Sequence, residues 1–212
     1  MMGRQPDDDR GQAFTLEAVV GAILLLTAIA FALQVTIVTP LSASTSSQHI
    51  ESQQRSVAQG VLASAAEDGS LKRAVLYWNV SGGRFYNTPS QQFYTSNPPD
   101  NEFGEKLKRA FNEEGLAYNV RIYHQTNSSE RTAINEQLMI SQGTPSDNAV
   151  RASRTIAIKD DDHLVDEDGS LNESTVGEAN FYMKDARSYS NGIKEKHGLY
   201  NVVQVEVIVW RI

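Results

Sequence analysis

The sequence contains no cysteine among its 212 residues. Without thiols, the chain forms no disulfide framework and no thiolate metal site, and it offers no nucleophilic cysteine. Lysine is also scarce, with seven of the 19 basic residues, and 26 acidic residues outnumber the basic ones. The net charge of −7 argues against a nucleic-acid partner, because nucleic-acid-binding proteins present a basic face.

Recognisable catalytic motifs are also missing. The chain has no G-x-S-x-G elbow and no phosphate-binding glycine loop, and no two of its histidines have a metal-ligand spacing. These histidines are His49, His124, His163 and His197. We therefore expect no enzyme activity, no cofactor and no metal site.

The acidic stretch DDDHLVDEDGSLNES, Asp160 to Ser174, is the sharpest local feature. Three residues match the third, fifth and sixth positions of an EF-hand calcium loop: Asp166, Asp168 and Gly169. The first and twelfth positions would be Leu164 and Thr175, which are not ligands of the required kind. The pattern favours an acidic, solvated loop, with a loose calcium site as the alternative.

A long apolar run stands near the amino terminus. Residues Ala18 to Val38 include no charged side chain, and as a helix these 21 residues would span about 31 Å, enough for a bilayer core. Arg4 and Arg10 precede the run, and the next basic residue is Arg55. This asymmetry predicts a single membrane span with a cytoplasmic amino terminus and the bulk of the chain outside.

Three N-x-S/T sequons lie in the part expected outside, and their acceptors are candidate glycosylation sites: Asn79, Asn127 and Asn172. A conventional signal peptide is an alternative to a retained span, because Ala30-Phe31-Ala32 has the small-x-small pattern of a cleavage site. Against this alternative, the apolar run continues to Val38, and Glu17 stands at its start.

The residues RGQAFTLEAVVGAILLL resemble the class III, type IV pilin-like signal in its archaeal version. The resemblance implies cleavage by a prepilin peptidase between Gly11 and Gln12, with Arg10 two positions before the cut. The FTLE stretch resembles bacterial pilins, whose acidic residue usually stands at the fifth mature position. Glu17 would be the sixth.

The resemblance extends to TPLSASTSSQHIESQQRSVAQGVLASAAEDGSLKRAVLYWN and to the ending GLYNVVQVEVIVWRI. Both are similar to an uncharacterised group of haloarchaeal pilin-like membrane proteins, which tend to be encoded beside pilus-type assembly components. The resemblance implies a pilin-like or pseudopilin-like subunit of a surface filament. Its partners would be the prepilin peptidase, other pilin-like subunits, the assembly platform and the bilayer.

Physical roles follow for the residues at the cut. Gly11 permits an extended, accessible backbone for the peptidase. Cleavage frees an α-amino group at Gln12, and the Glu17 carboxylate is placed to pair with that cation on a neighbouring helix. The alternative is that Glu17 faces water at the headgroup level.

Four segments result: a leader over 1–11, a transmembrane helix over 12–39, a stem helix over 40–69, and an outer head over 70–212. Alanines spaced by four, such as Ala18 and Ala22, give the span a small face for close helix packing. Pro40 predicts a kink or break between span and stem, and Gly69 predicts the stem's end.

The head has the patterns of an α+β domain. Phe103 to Glu114 predicts a short amphipathic helix ended by Gly115, and the segment 81–101 predicts a loop. LAYNVRIYHQ, QLMISQG, AVRASRTIAIKD and YNVVQVEVIVWRI predict strands. We expect a long amino-terminal helix beside a small antiparallel sheet, as in pilins. The competing hypothesis is a monomeric single-pass anchor that displays a binding or adhesion domain.

Overall fold

The computed structural model describes residues 7–89, 91–128, 131–176, 181–183 and 198–211. Within these ranges the side chains of 7–13, 34–47, 127–128 and 131–132 are not described. The chain divides into two compact units, residues 1–50 and residues 51–212.

The first helix, α1, runs from Asp7 to Glu67. Its backbone is helical through Pro40, so of the kink or break expected at this proline, the break does not occur. One proline removes a single backbone hydrogen bond at a cost of about 3 kcal/mol, which long helical stretches on both sides outweigh. Gly11 also lies within the helical backbone of α1, where a glycine costs a helix only about 1 kcal/mol.

The helix ends where the sequence predicts. Gly69 has a φ of 80°, a left-handed conformation that glycine adopts without strain. The Asp68 carboxylate accepts a 3.0 Å hydrogen bond from the Ser70 backbone N–H, and α2 follows over Ser70–Val75. The chain then continues into a short hairpin formed by β1, Trp78–Asn79, and β2, Arg84–Phe85.

The expected amphipathic helix is confirmed as α3, Glu102–Leu107, continued by a π-helical turn over Lys108–Asn112. The side chain of Asn101 caps it by accepting a 2.9 Å hydrogen bond from the Gly104 N–H. Gly115, with a φ of 69°, ends the turn that follows this helix and directly precedes the sheet strand β3.

A four-stranded antiparallel sheet forms the centre of the second unit. Its strands are β3 (Leu116–Ser128), β4 (Arg131–Ser141), β5 (Val150–Ile158) and β8 (Asn201–Arg211), in the order β4-β3-β8-β5. The four predicted strands and the α+β class are confirmed. A separate hairpin is formed by β6, His163–Val165, and β7, Leu171–Thr175.

The hydrophobic core lies on one face of this sheet. The alternating valines of β8 are completely buried, as the period of two predicts: Val203, Val205, Val207 and Val209. They belong to one cluster with residues from α1, α2 and α3, including Leu62, Leu71 and Phe103. Each large apolar side chain buried in this way stabilises the fold by about 1.5–3 kcal/mol.

The opposite face carries a smaller apolar cluster formed by Ala117, Ile208 and Trp210. The connection from β4 to β5 is held next to this cluster through Asn119. The Asn119 amide donates to the Gly143 carbonyl at 2.9 Å and accepts from the Gln142 N–H at 2.8 Å. Ile208 is therefore buried although it points away from the main core.

Candidate functional site

The apolar part of α1 is the most unusual surface of the described chain. Phe14–Leu33 has 20 residues, a mean hydropathy of 2.4 and no buried residue, and it is long and apolar enough to cross a membrane. Phe14, Leu16 and Phe31 are each 70% exposed. On a protein in water, an exposed apolar surface of this extent is typical of a site that contacts lipid or another protein. By length and composition, an amino-terminal signal sequence has the same properties.

Polar groups within this segment are few. The Thr27 hydroxyl donates to the Ile23 carbonyl at 2.7 Å, so the helix itself satisfies this group. Ala18, Ala22 and Ala28 are exposed, and they leave the helix surface shallow where they lie. Glu17 is exposed as well, one turn inside the amino-terminal end of the apolar segment.

The predicted cleavage site lies on the helical backbone of α1. Arg10, Gly11 and Gln12 are all within Asp7–Glu67, and their side chains lie outside the described part. Cleavage after Gly11 stays a prediction.

The sequons have different local settings. Asn79 Oδ1 accepts a 2.7 Å hydrogen bond from the Gly82 N–H. Asn172 donates from Nδ2 to Asp166 at 2.8 Å and accepts from the Ser174 N–H at 2.8 Å. The side chain of Asn127 lies outside the described part. Glycosylation of the three asparagines remains a prediction.

The acidic stretch forms the hairpin of β6 and β7 rather than an open loop, because Leu164 and Val165 are buried. The turn uses its own carboxylates. Asp168 accepts hydrogen bonds from the Ser170 backbone N–H at 2.9 Å and from the Ser170 hydroxyl at 2.7 Å. Both bonds lower the pKa of Asp168, and the bond from the hydroxyl has the larger effect. Among the described residues, no group of three or more His, Asp and Glu side chains is placed to hold a metal ion. The calcium alternative therefore gains no support.

The described histidines do not lie together at one site. His49 and His163 are exposed, whereas His124 on β3 is 4% exposed with its ring 5.6 Å from that of Tyr182. Burial lowers the pKa of His124, and its Nδ1 has no partner among the described residues. This environment makes His124 a neutral core residue. His197 lies outside the described part.

An open cavity of about 570 Å³ lies beside the β1–β2 hairpin and is lined by Arg84, Tyr86, Asn87 and Glu167, among other residues. Among its described lining residues, no nucleophile is paired with a base. Sequence reasoning assigned this region to a loop, yet Phe85 and Tyr94 within it are buried in the core.

Sequence reasoning missed a polar network on the outer face of the sheet. Arg121 Nη1 lies 3.4 Å from Glu136 Oε1, and the Tyr123 hydroxyl donates to Glu206 at 3.2 Å. Alternation along β3 puts Arg121 and Tyr123 on one face. It does not reveal that β4 and β8 supply their partners.

Comparison with known proteins gives one positive result. The model of a family described as "Family of unknown function (DUF7288)" matches residues 10–209. No curated protein matches the chain. No solved structure matches it either. Since the match covers nearly the whole chain, from the predicted cleavage region to the last strand, the protein belongs to the DUF7288 family of unknown function.

Proposed function

We propose that this protein is a membrane-anchored structural subunit of a pilus-like surface filament. Its amino terminus is cytoplasmic, its apolar helix is retained in the bilayer, and its α+β head lies outside the cell. It acts by association with further copies and not by catalysis.

The observation that carries the proposal is the exposed apolar surface of Phe14–Leu33. Its unburied side chains require a nonpolar environment, first lipid and then the helices of neighbouring subunits. Helical backbone continues along the chain to Glu67, and in the second unit Ala58, Leu62 and Ala65 of the same helix belong to the core of the head.

The polar residues near the anchor have roles in this proposal. Prepilin peptidase cuts between Gly11 and Gln12 after recognising Arg10 and the apolar helix. The new α-amino group of Gln12 pairs with Glu17 of a neighbouring copy when the helices leave the lipid. An unpaired charge at that depth is costly, so the pair favours assembly over isolated subunits.

Intact mass of the mature chain tests the processing step. The proposal predicts a chain that starts at Gln12, partitions with membranes, resists alkaline extraction and appears in sheared filaments. A mature chain that retains residues 1–11, or one that begins at Leu33, contradicts it.

A monomeric anchor that displays a binding domain gives a different set of results. It predicts an uncut leader, extraction only by detergent and no chain in the sheared fraction. A secreted domain predicts a chain that begins at Leu33 and is recovered from the medium. The mass and the fractionation together separate these outcomes from the proposed filament subunit.

A further inference from the structure

The β1–β2 hairpin has one face in the core and one face toward the open cavity. Trp78 pairs with Phe85 and Asn79 with Arg84, and residues paired across two strands lie on the same face. The rings of Trp78 and Phe85 are buried, with their centroids 5.0 Å apart. Because neighbouring residues of a strand alternate in direction, Asn79 and Arg84 lie on the opposite face. They form one wall of the cavity of about 570 Å³.

Further walls come from the segment after β2 and from the turn between β6 and β7. Tyr86 and Asn87 belong to the first, and Glu167 belongs to the second. The Tyr77 hydroxyl joins these two walls, since it donates to the Glu167 carbonyl at 2.9 Å and accepts from Asn87 Nδ2 at 3.4 Å. The Tyr86 hydroxyl also bonds to Asp166 at 3.4 Å. Side chains from distant parts of the sequence are thus held around one opening by bonds between its walls.

The hydrogen-bonding groups of this lining are only partly used. Arg84 and Glu167 are exposed, and neither forms an ion pair with a described residue. Asn79 accepts from the Gly82 N–H through Oδ1, and no described residue accepts from its Nδ2. Asn87 donates through Nδ2, and no described residue donates to its Oδ1. The cavity therefore offers a guanidinium, a carboxylate, an amide donor and an amide acceptor on a backbone that is already held in place, which lowers the entropic cost of binding.

The charge of the lining favours a neutral ligand. Its described residues include one cation, Arg84, and one anion, Glu167, so their charges cancel. An anionic ligand would be repelled by Glu167 and the adjacent Asp166, and a cationic ligand would be repelled by Arg84. A hydroxyl group both donates and accepts, so a polyhydroxy ligand accepts from Arg84 and Asn79 and donates to Glu167 and Asn87. Hydrogen bonds with the two charged groups are about twice as strong as bonds between neutral groups.

Neutral saccharides have this chemistry and a suitable size. Their neighbouring hydroxyl groups present two hydrogen-bonding atoms side by side, which suits the two-pronged ends of guanidinium, carboxylate and amide side chains. The cavity volume of about 570 Å³ lies within the range of about 300–1,000 Å³ that is usual for small-molecule sites. A zwitterion such as an amino acid would use Arg84 and Glu167 and leave both amides without a role.

We propose that the cavity beside the β1–β2 hairpin binds a neutral saccharide. Arg84 and Asn79 donate to hydroxyl oxygens of the sugar, and Glu167 and Asn87 accept from its hydroxyl groups. Because the cavity is open, the bound unit is either a free sugar or the end of a longer glycan. The site lies wholly in the second unit of the chain. This inference goes beyond the filament function and does not require assembly.

Saturation-transfer NMR on the full-length chain tests the site. The chain is produced in a host that adds no N-glycan, so that Asn79 stays unmodified, and it is kept in lauryl dimethylamine oxide, a detergent without a sugar headgroup. The probes are glucose, galactose, mannose and N-acetylglucosamine, together with maltose, cellobiose and lactose. At least one probe should receive saturation, and its signal should level off in a titration. Tighter binding of a disaccharide than of its monosaccharides assigns the end of a glycan, and equal binding assigns a free sugar. Absence of transfer to every probe overturns the proposal.

A double variant places the bound sugar in this cavity. Arg84→Ala with Glu167→Ala removes both charged groups and should weaken binding by about tenfold or more. The Glu167 backbone carbonyl keeps its bond from Tyr77, so the walls stay joined. The matched control, Arg151→Ala with Glu113→Ala, removes the same two charges at exposed positions elsewhere in the head and should bind as the unaltered chain does. Unchanged binding in the first variant, or an equal loss in both, overturns the site.

Charged competitors test the class of ligand. Acetate, methylammonium and glycine represent an anion, a cation and a zwitterion, and none of them should displace the bound sugar at constant ionic strength. Displacement by one of these probes at concentrations equal to that of the sugar assigns the cavity to a charged ligand and overturns the proposal. The outcome is separate from the filament function. Loss of the saccharide site leaves the filament standing, and an uncut, unassembled chain that binds sugar leaves the site standing.

Discussion

The side chain of Asn201 forms two hydrogen bonds with the backbone of Gln125. Asn201 Nδ2 donates to the Gln125 carbonyl at 2.7 Å, and the Gln125 N–H donates to Asn201 Oδ1 at 3.2 Å. The last backbone pair of β3 and β8 joins His124 and Val203. The amide of Asn201 therefore continues the strand ladder beyond that pair, at a site where Asn201 is only 3% exposed.

Replacing this amide should weaken the sheet. Asn201→Leu removes both hydrogen bonds and leaves a backbone donor and acceptor unpaired, which should lower the free energy of unfolding by about 2 kcal/mol. Urea denaturation of the full chain in detergent, followed by tryptophan fluorescence, measures the change. Asn112→Leu at an exposed position is the control and should have little effect. Equal midpoints for the two variants would contradict the prediction.

Two glycines should respond in opposite directions to alanine. A Cβ on Gly104 would overlap the Pro99 carbonyl oxygen, so Gly104→Ala should destabilise the head by about 2 kcal/mol or more. Gly60, inside α1, has no atom within 4 Å of its ideal Cβ. Gly60→Ala should raise stability by up to about 1 kcal/mol, because alanine favours the helix. Thermal unfolding of both variants tests the contrast, and a shift in the same direction would be inconsistent with it.

His124 should make the head less stable in mild acid. Burial lowers its pKa in the folded state below the ordinary value of 6.5, so the unfolded chain takes up a proton more readily. Its contribution to stability is therefore complete above pH 6.5 and is lost as the pH falls toward the folded-state pKa. His124→Phe should flatten this part of the stability profile. A slope that persists in His124→Phe would assign it to other groups.

Glu17→Gln separates assembly from insertion. Cleavage after Gly11 and membrane insertion should persist, and insertion should improve slightly, since a charged residue at helix depth costs up to about 2.5–3.5 kcal/mol. Filament assembly should fail, because the new amino group at Gln12 would be buried without a counterion. Glu17→Asp should assemble to an extent between those of the unaltered chain and Glu17→Gln, because the aspartate side chain is shorter.

Shearing and immunoblotting measure the incorporation of these variants. Glu67→Gln, at the exposed carboxyl end of α1, is the matched control and should assemble normally. Normal incorporation of Glu17→Gln would show that Glu17 is a solvated residue at the membrane edge.

Local patterns predicted most of the elements. The uninterrupted apolar run predicted a long helix, and the alternating valines from Val203 to Val209 predicted a half-buried strand, because the side-chain periods of helix and strand are visible in sequence. Gly69 and Gly115 correctly predicted helix ends, since their left-handed backbone conformation suits glycine. Pro40 does not end the helix, because the helical residues on both sides of it outweigh the cost of a single proline.

The burial of Phe85 and Tyr94 was not predicted, because the glycine- and proline-rich composition around them is typical of an exposed loop. Their burial depends on contacts with chain segments far away in sequence. Tyr94, for example, forms backbone hydrogen bonds with Met139 and Ser141.

The sequence by itself determined the apolar helix, the α+β class and the faces of each strand, since these follow from residues within a few positions of each other. The tertiary structure decided which strands meet. It placed the carboxyl-terminal strand β8 between β3 and β5 and brought Glu136 to Arg121. Strand order depends on contacts between residues that are far apart in the chain, and no local period encodes it. The ion pair of Lys72 with Asp162, for example, joins residues 90 positions apart.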